Sequence, residues 1–126
     1  MSSESKADKT NIPIGKQGEE IARNYLIEKG YAIVEMNYRF GRGEIDIIAE
    51  RDGMLVFVEV KTKKFGDFGD PVGWVPRSKQ RQIGTIARGY LFEKEISDRD
   101  CRFDVIALNW EKGDWQINHI ENAFWL

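Results

Sequence analysis

The spacing of apolar residues predicts two helices in this chain. The first covers residues 18–29 and ends before Gly30, a residue type that often terminates helices. The apolar face of this helix is formed by Ile21, Ala22, Tyr25 and Leu26. The second helix begins at Ser78, which we expect to cap it. Its apolar face is formed by Ile83, Ile86, Ala87, Tyr90 and Leu91.

Five further segments have the alternating or continuously apolar pattern of strands. They are residues 31–36, 44–49, 55–60, 102–108 and 115–120. Arg51-Asp52-Gly53 is a hairpin signal between the second and third strands, and the Gly- and Pro-rich residues 65–76 are predicted to form a loop. The order of elements indicates a single α/β domain over residues 13–126, with a mixed sheet flanked by helices, after a disordered lead-in at residues 1–12.

The hairpin turn at residues 52–53 determines which residues of the two central strands lie opposite each other. Paired residue numbers then sum to 105, so Asp46 faces Glu59 and Glu44 faces Lys61. These four side chains are predicted to share one end of one face of the hairpin. The opposite face is predicted to be apolar and to pack on the core, with Ile45, Ile47, Ala49, Val56, Val58 and Val60.

Opposed carboxylates on half-buried strands repel each other, and a divalent cation between them removes the conflict. Asp46, Glu59 and the backbone carbonyl of Val60 could supply the oxygen ligands that Mg²⁺ or Mn²⁺ takes. Lys61 projects to the same side, where it could orient or deprotonate an attacking water. Glu19 lies beside the apolar stripe of the first helix and is therefore predicted to reach this site as a further metal or water partner.

The net charge of −2 alone argues against a nucleic-acid partner, because phosphate binding usually needs a basic surface. The distribution of charge changes that conclusion, since residues 60–94 contain eight Lys and Arg residues against three Asp and Glu residues. Lys63, Lys79 and Arg81 are therefore predicted to contact phosphate groups, although by default such residues form a solvated surface. The aromatic residues of the loop could stack on unpaired bases or fold over the core.

Two segments resemble the split acidic motif of the PD-(D/E)XK nucleases. They are Gly43-Glu44-Ile45-Asp46 and Glu59-Val60-Lys61, and Glu19 matches the glutamate that these nucleases carry on a helix. The name of the superfamily expects proline where this chain has Ile45. The resemblance implies an endonuclease-like core.

The order of motifs from residue 14 to the C-terminus resembles the bacterial YraN-like family. The motifs include Gly15-x-x-Gly18-Glu19, Asn37-Tyr38-Arg39 and Arg102-Phe103-Asp104-Val105. That family is similar in fold to archaeal Holliday junction resolvases. The resemblance therefore implies a restriction-endonuclease-like fold, DNA as the partner, branched DNA included, and a two-fold homodimer.

Three functions are open on the sequence alone. The leading hypothesis is a Mg²⁺- or Mn²⁺-dependent endonuclease that hydrolyses DNA phosphodiester bonds, with Glu44 either in a supporting role or simply paired with Lys61 or Arg42. The second is a non-catalytic nucleic-acid-binding module of the same fold, which would bind DNA without a metal requirement. The third is a partner-binding domain that uses the aromatic loop.

The remaining features indicate a cytoplasmic protein without membrane contact. Residues 1–10 lack the apolar stretch of a signal peptide, and Cys101 has no second cysteine with which to form a disulfide. His119 has no Cys or His partner for a zinc site. Asp104 is interpreted as structural, bonded to Arg102 or to a loop backbone.

Overall fold

The computed structural model describes residues 14–63, 73 and 75–124, and within them the chain forms two helices and five strands. Helix α1 spans Ile14–Glu28 and helix α2 spans Arg77–Glu93. The strands are β1, Ala32–Phe40; β2, Gly43–Arg51; β3, Met54–Lys63; β4, Cys101–Glu111; and β5, Asp114–Ile120. The predicted lead-in at residues 1–12 and the loop aromatics Phe65, Phe68 and Trp74 lie outside the described residues.

The strands form one mixed sheet in the order β1-β2-β3-β4-β5. Strands β1, β2 and β3 pair antiparallel, β4 joins β3 in parallel, and β5 pairs antiparallel with β4. A parallel pair needs a long crossover, and α2 lies in the connection from β3 to β4. The predicted α/β architecture, a mixed sheet flanked by helices, is confirmed.

Each face of the sheet has its own apolar core. On one face α1 packs through Ala22 and Leu26 against a group of strand residues that includes Ile47, Val56, Val58, Ile106 and Leu108. On the other face α2 packs through Ile83, Ile86, Ala87 and Tyr90 against a second group that includes Ile48, Leu55, Phe57 and Val105. Each such large buried side chain contributes about 1.5–3 kcal/mol to folding. The sheet is therefore held between the two helices.

A glycine brings α1 close to the sheet beside the acidic residues. A Cβ atom added to Gly18 would lie 2.6 Å from Cγ2 of Thr62 on β3, closer than packed atoms can lie. A Cβ atom added to Gly43, the first residue of β2, would likewise collide with the side chain of Ile86 on α2. Both helices thus approach the end of the sheet where the predicted site residues are located.

Several element boundaries differ from the prediction. Helix α1 begins at Ile14 and not at residue 18, and β3 and β4 each extend three residues beyond their predicted ends. Strand β1 continues past residue 36 to Phe40, because its pairing with β2 resumes after Asn37, which has a left-handed φ of 52°. Helix α2 begins at Arg77 and not after Ser78, since Pro76 occupies the N-cap position without a side-chain hydrogen bond. The prediction that Ser78 caps the helix was wrong.

Candidate metal centre

The β2–β3 hairpin has the predicted register where its backbone is paired. The pairs run from Arg51 with Met54 to Ile47 with Val58, and their residue numbers sum to 105. The next predicted pairs, Asp46 with Glu59 and Glu44 with Lys61, are not among the backbone pairs of the described hairpin. The two strands separate at this point.

A side chain replaces the backbone pairing at the point of separation. Oδ2 of Asp46 accepts a hydrogen bond from the backbone N–H of Val60 at 2.8 Å. The carboxylate of a β2 residue therefore satisfies a β3 amide that a β2 carbonyl would otherwise bind. Asp46 is consequently fixed between the two strands.

The side chains of β2 change face at this position. Ile47 packs in the core under α1, whereas Ile45 packs in the core under α2. The prediction that both lie on one apolar face was therefore wrong for Ile45. Glu44 and Asp46 instead lie together near Glu19 of α1. Regular alternation is broken between residues 46 and 47, so the predicted single polar face is divided in two.

On the α1 side, three carboxylates converge. Glu19, Glu44 and Asp46 each offer an oxygen, and these oxygens all lie within 4.8 Å of one another. Asn37 joins two of them, because its Nδ2 donates hydrogen bonds to Oε1 of Glu19 at 2.9 Å and to Oε2 of Glu44 at 2.7 Å. Glu44 also pairs with Arg39, 3.3 Å away, rather than with Lys61 or Arg42. We name these three carboxylates the acidic cluster.

On the α2 side, one buried carboxylate lies between two lysines. The Glu59 side chain is only 6% exposed, and its Oε2 lies 3.6 Å from Nζ of Lys61 and 3.7 Å from Nζ of Lys79. Lys79, which comes from the first turns of α2, was predicted as a phosphate contact and not as a neighbour of Glu59. Lys63 and Arg81, the other predicted phosphate contacts, lie exposed on β3 and α2.

Asp46 connects the two groups electrostatically. Burial, followed by the charge of Glu59, raises the pKa of Asp46 to about 8, although the N–H of Val60 acts in the opposite direction. Glu19 and Glu44 raise this pKa further. Burial also raises the pKa of Glu59, against the effect of Lys79 and Lys61. The surroundings therefore disfavour simultaneous ionisation of Asp46 and Glu59.

The donor set fits a hard divalent cation. All the side-chain donors are carboxylate oxygens, the ligand type that such cations prefer. A cation held by Glu19, Glu44 and Asp46 would offset the repulsion that raises the pKa of Asp46. The acidic cluster could thus bind a metal ion. Ligation by Glu59 and by the carbonyl of Val60 stays a prediction.

We expect Asp46→Asn to stabilise the protein in the presence of a chelator. A carboxyl whose pKa is raised in the folded state costs nothing below its unfolded pKa, and the cost grows as pH rises towards the folded pKa. The stabilisation should be absent below about pH 4 and reach on the order of 2 kcal/mol near pH 8, since one pKa unit corresponds to about 1.4 kcal/mol and water screens a half-buried site.

Urea unfolding of the wild type and Asp46→Asn at several pH values measures this difference. Asp52→Asn is the matched control, because Asp52 is exposed in the turn of the same hairpin and asparagine also accepts its left-handed backbone. A difference between Asp46→Asn and the wild type that stays constant with pH would contradict the assigned cause.

Asp104 and His119 lie outside this site and form a structural network. Asp104 is fully buried and accepts hydrogen bonds from Nε and Nη2 of Arg102 at 2.9 and 2.8 Å and from the N–H of Asn122 at 3.0 Å. Nε2 of His119 lies 2.7 Å from Asp104, and Nδ1 lies 3.1 Å from the hydroxyl of Tyr25. The network connects β4, β5 and α1, in agreement with the structural interpretation of Asp104.

Together, the fold and the site define an α/β protein with an acidic candidate metal centre where the two central strands separate. The chain belongs to the family described as Uncharacterised protein family UPF0102, whose model matches residues 18–108. The predicted YraN-like family is thereby confirmed. Among the described residues, neither helix is long and apolar enough to cross a membrane.

Several relatives match over nearly the whole chain. A UPF0102 protein of Alkaliphilus oremlandii is 46% identical over 116 residues, which cover 90% of this chain and 99% of that protein. One of Prosthecochloris aestuarii is 45% identical over 118 residues, with coverage of 89% and 93%. Among solved structures, Pyrococcus furiosus SfsA in complex with Ca²⁺ is 16% identical with a TM-score of 0.32, covering 85% of this chain and 62% of that chain. At this TM-score the likeness supports no conclusion about this chain.

Proposed function

We propose that this protein is a metal-dependent endonuclease that hydrolyses DNA phosphodiester bonds with Mg²⁺ or Mn²⁺. One observation supports this above all others: Asp46, a member of the acidic cluster, also interacts with Glu59, which pairs with Lys61. A protein that only binds phosphates has little use for buried carboxylates, which repel them unless a cation intervenes. The motif resemblance to PD-(D/E)XK nucleases agrees with this assignment.

Each site residue has a chemical part in the proposal. Glu19, Glu44, Asp46 and Glu59 would hold the cation, which when bound would polarise the phosphate and activate water. Lys61 would orient the attacking water and stabilise the negative charge that develops on the phosphoryl oxygens. Its distance of 3.6 Å from Glu59 is suited to this, because the lysine is directed to the carboxylate side of the strand.

The substrate would be positioned by basic residues next to the site. Lys79 already reaches Glu59 from α2, and the exposed residues Lys63 and Arg81 extend positive charge along β3 and α2. Such residues contact the phosphate backbone without reading bases. DNA as the substrate, branched DNA included, and a two-fold homodimer complete the proposal on the strength of the resolvase-like resemblance.

Calorimetric titration of Mn²⁺ tests the site without a choice of substrate. We expect the wild type and Asp52→Asn to bind Mn²⁺, and Asp46→Asn to lose binding, because Asp46 belongs to the acidic cluster and Asp52 does not. The titration is repeated with a non-cleavable DNA duplex present, since phosphate oxygens often complete the shell of such a cation.

The outcomes separate the proposal from its competitor. Failure of the wild type to bind Mn²⁺ both with and without DNA would reject the metal-dependent nuclease. Salt-dependent DNA binding that needs no metal and is unchanged in Asp46→Asn would instead support a non-catalytic nucleic-acid-binding module.

A further inference from the structure

We propose that Asn37 is a positioning residue, whose neutral amide holds Glu19 and Glu44 in the arrangement that binds a cation with Asp46. The inference rests on the proposed function, because it concerns the same site. It assigns a role to a residue of β1, a strand that contributes none of the three carboxylates of the acidic cluster.

The hydrogen bonds of Asn37 identify this role. Nδ2 has two hydrogens, and the two acceptors are carboxylates from different elements, Glu19 on α1 and Glu44 on β2. Only the NH₂ end of the amide can face both acceptors, so the orientation of the side chain is fixed by chemistry. One side chain thereby sets the separation between a helix residue and a strand residue.

The backbone of β1 is adapted to this contact. Asn37 has a φ of 52°, a left-handed conformation that asparagine tolerates better than most residues. Its neighbours Met36 and Tyr38 pair with Ile47 and Ile45 and pack in the cores under α1 and α2, respectively. The change of face in β1 is therefore directly opposite the change of face in β2 at Asp46.

The neutrality of the amide distinguishes Asn37 from the other partners of the cluster. Lys16 pairs with Glu19 at 3.2 Å and Arg39 with Glu44 at 3.3 Å, but their side chains are 56% and 76% exposed. Each of these positive charges competes with a bound cation, whereas an amide orients the carboxylates and leaves their negative charge available. Lys16 and Asn37 both bind Oε1 of Glu19, so neither of these bonds occupies Oε2.

The test compares Asn37→Gly with the matched variant Lys16→Gln. Glycine adopts the left-handed backbone without strain, so Asn37→Gly removes the two donors and little else. Lys16→Gln removes a charged partner from the same oxygen of Glu19. Mn²⁺ affinity is measured by calorimetry, and the melting temperature is measured in a chelator as the readout of folding.

We expect Asn37→Gly to bind Mn²⁺ about tenfold more weakly or worse with unchanged stoichiometry, as is typical when a residue that orients metal ligands is removed. Lys16→Gln should bind as tightly as the wild type or more tightly. Wild-type affinity in Asn37→Gly, even with a lowered melting temperature, would show a merely structural role and overturn the inference.

A second variant of Asn37 and the Mn²⁺ binding of the wild type distinguish the remaining outcomes. If Asn37→Gly does not fold, Asn37→Ser takes its place, because serine is too short to reach both carboxylates. Wild-type Mn²⁺ affinity in Asn37→Ser would also overturn the inference. Binding by the wild type with no effect of either variant rejects only the role of Asn37. Absence of binding by the wild type rejects the proposed function and this inference with it.

Discussion

Lys61→Ala should reduce metal-dependent DNA cleavage about 10²–10³-fold, the usual cost of removing a group that stabilises charge in a transition state. Binding of Mn²⁺ should be retained, because Lys61 pairs with Glu59 and its ammonium group cannot be a metal ligand. The expected combination of lost turnover and retained metal binding separates the lysine from the carboxylates. Single-turnover cleavage of a labelled duplex and calorimetry on the same preparation measure the two properties.

The control for this comparison is Lys112→Ala, which removes an equal charge at the exposed turn between β4 and β5. It should cleave as the wild type does. Preparations must be free of host nucleases, since a trace of contaminating enzyme would hide the effect. Full activity in both Lys61→Ala and Asp46→Ala under these conditions would reject the assigned site.

Asp104→Ala should lower the free energy of unfolding by about 3–5 kcal/mol, because it removes the fully buried carboxylate partner of the Arg102 guanidinium, whose other carboxylate partner, Glu121, is exposed. Burial acts to raise the pKa of Asp104, but hydrogen bonds from His119 and Arg102 outweigh it and lower the pKa below the ordinary value. The ionised carboxylate is therefore favoured by its partners in the folded protein. Urea unfolding at neutral pH measures the loss.

Glu111→Ala is the matched control for this substitution, since Glu111 is exposed at the end of the same strand. Its effect should stay within about 0.5 kcal/mol. If Asp104→Ala does not fold, Asp104→Asn retains the size of the side chain and allows the measurement. A loss below about 1 kcal/mol in Asp104→Asn would mean that the network contributes little to folding.

Much of the fold could be predicted from local pattern. Alternating apolar residues and the turn at residues 52–53 predicted the register of the hairpin, and the backbone pairs confirm it from the turn as far as Ile47 and Val58. The prediction for Ile45 was wrong because alternation assumes a regular strand. The strand is irregular here since the Asp46 carboxylate binds the N–H of Val60, a contact that apolar pattern does not reveal.

Only the site residues that lie on the β2–β3 hairpin could be placed near one another from the sequence. Opposed strand positions predicted that Asp46 and Glu59 lie close together, and in the structure burial and then Glu59 raise the pKa of Asp46. The roles of both residues stay predictions. Asn37 and Lys79 were missed as neighbours of the carboxylates, because β1 and α2 bring them there through packing. An asparagine interrupting a strand pattern is a signal of left-handed backbone, and it could have indicated Asn37.

The separation of β2 from β3 also bears on self-association. Backbone pairing between β2 and β3 ends at Ile47 and Val58, so the following residues of β3, which stay paired with β4, have unpaired backbone groups on the side that faces β2. Unpaired strand edges can recruit strands from other molecules. Glu59, Lys61 and Lys63 place a charged side chain at every second residue of this segment. Charged residues at open edges oppose aggregation, so we expect the side chains proposed for catalysis also to oppose the addition of a foreign strand here.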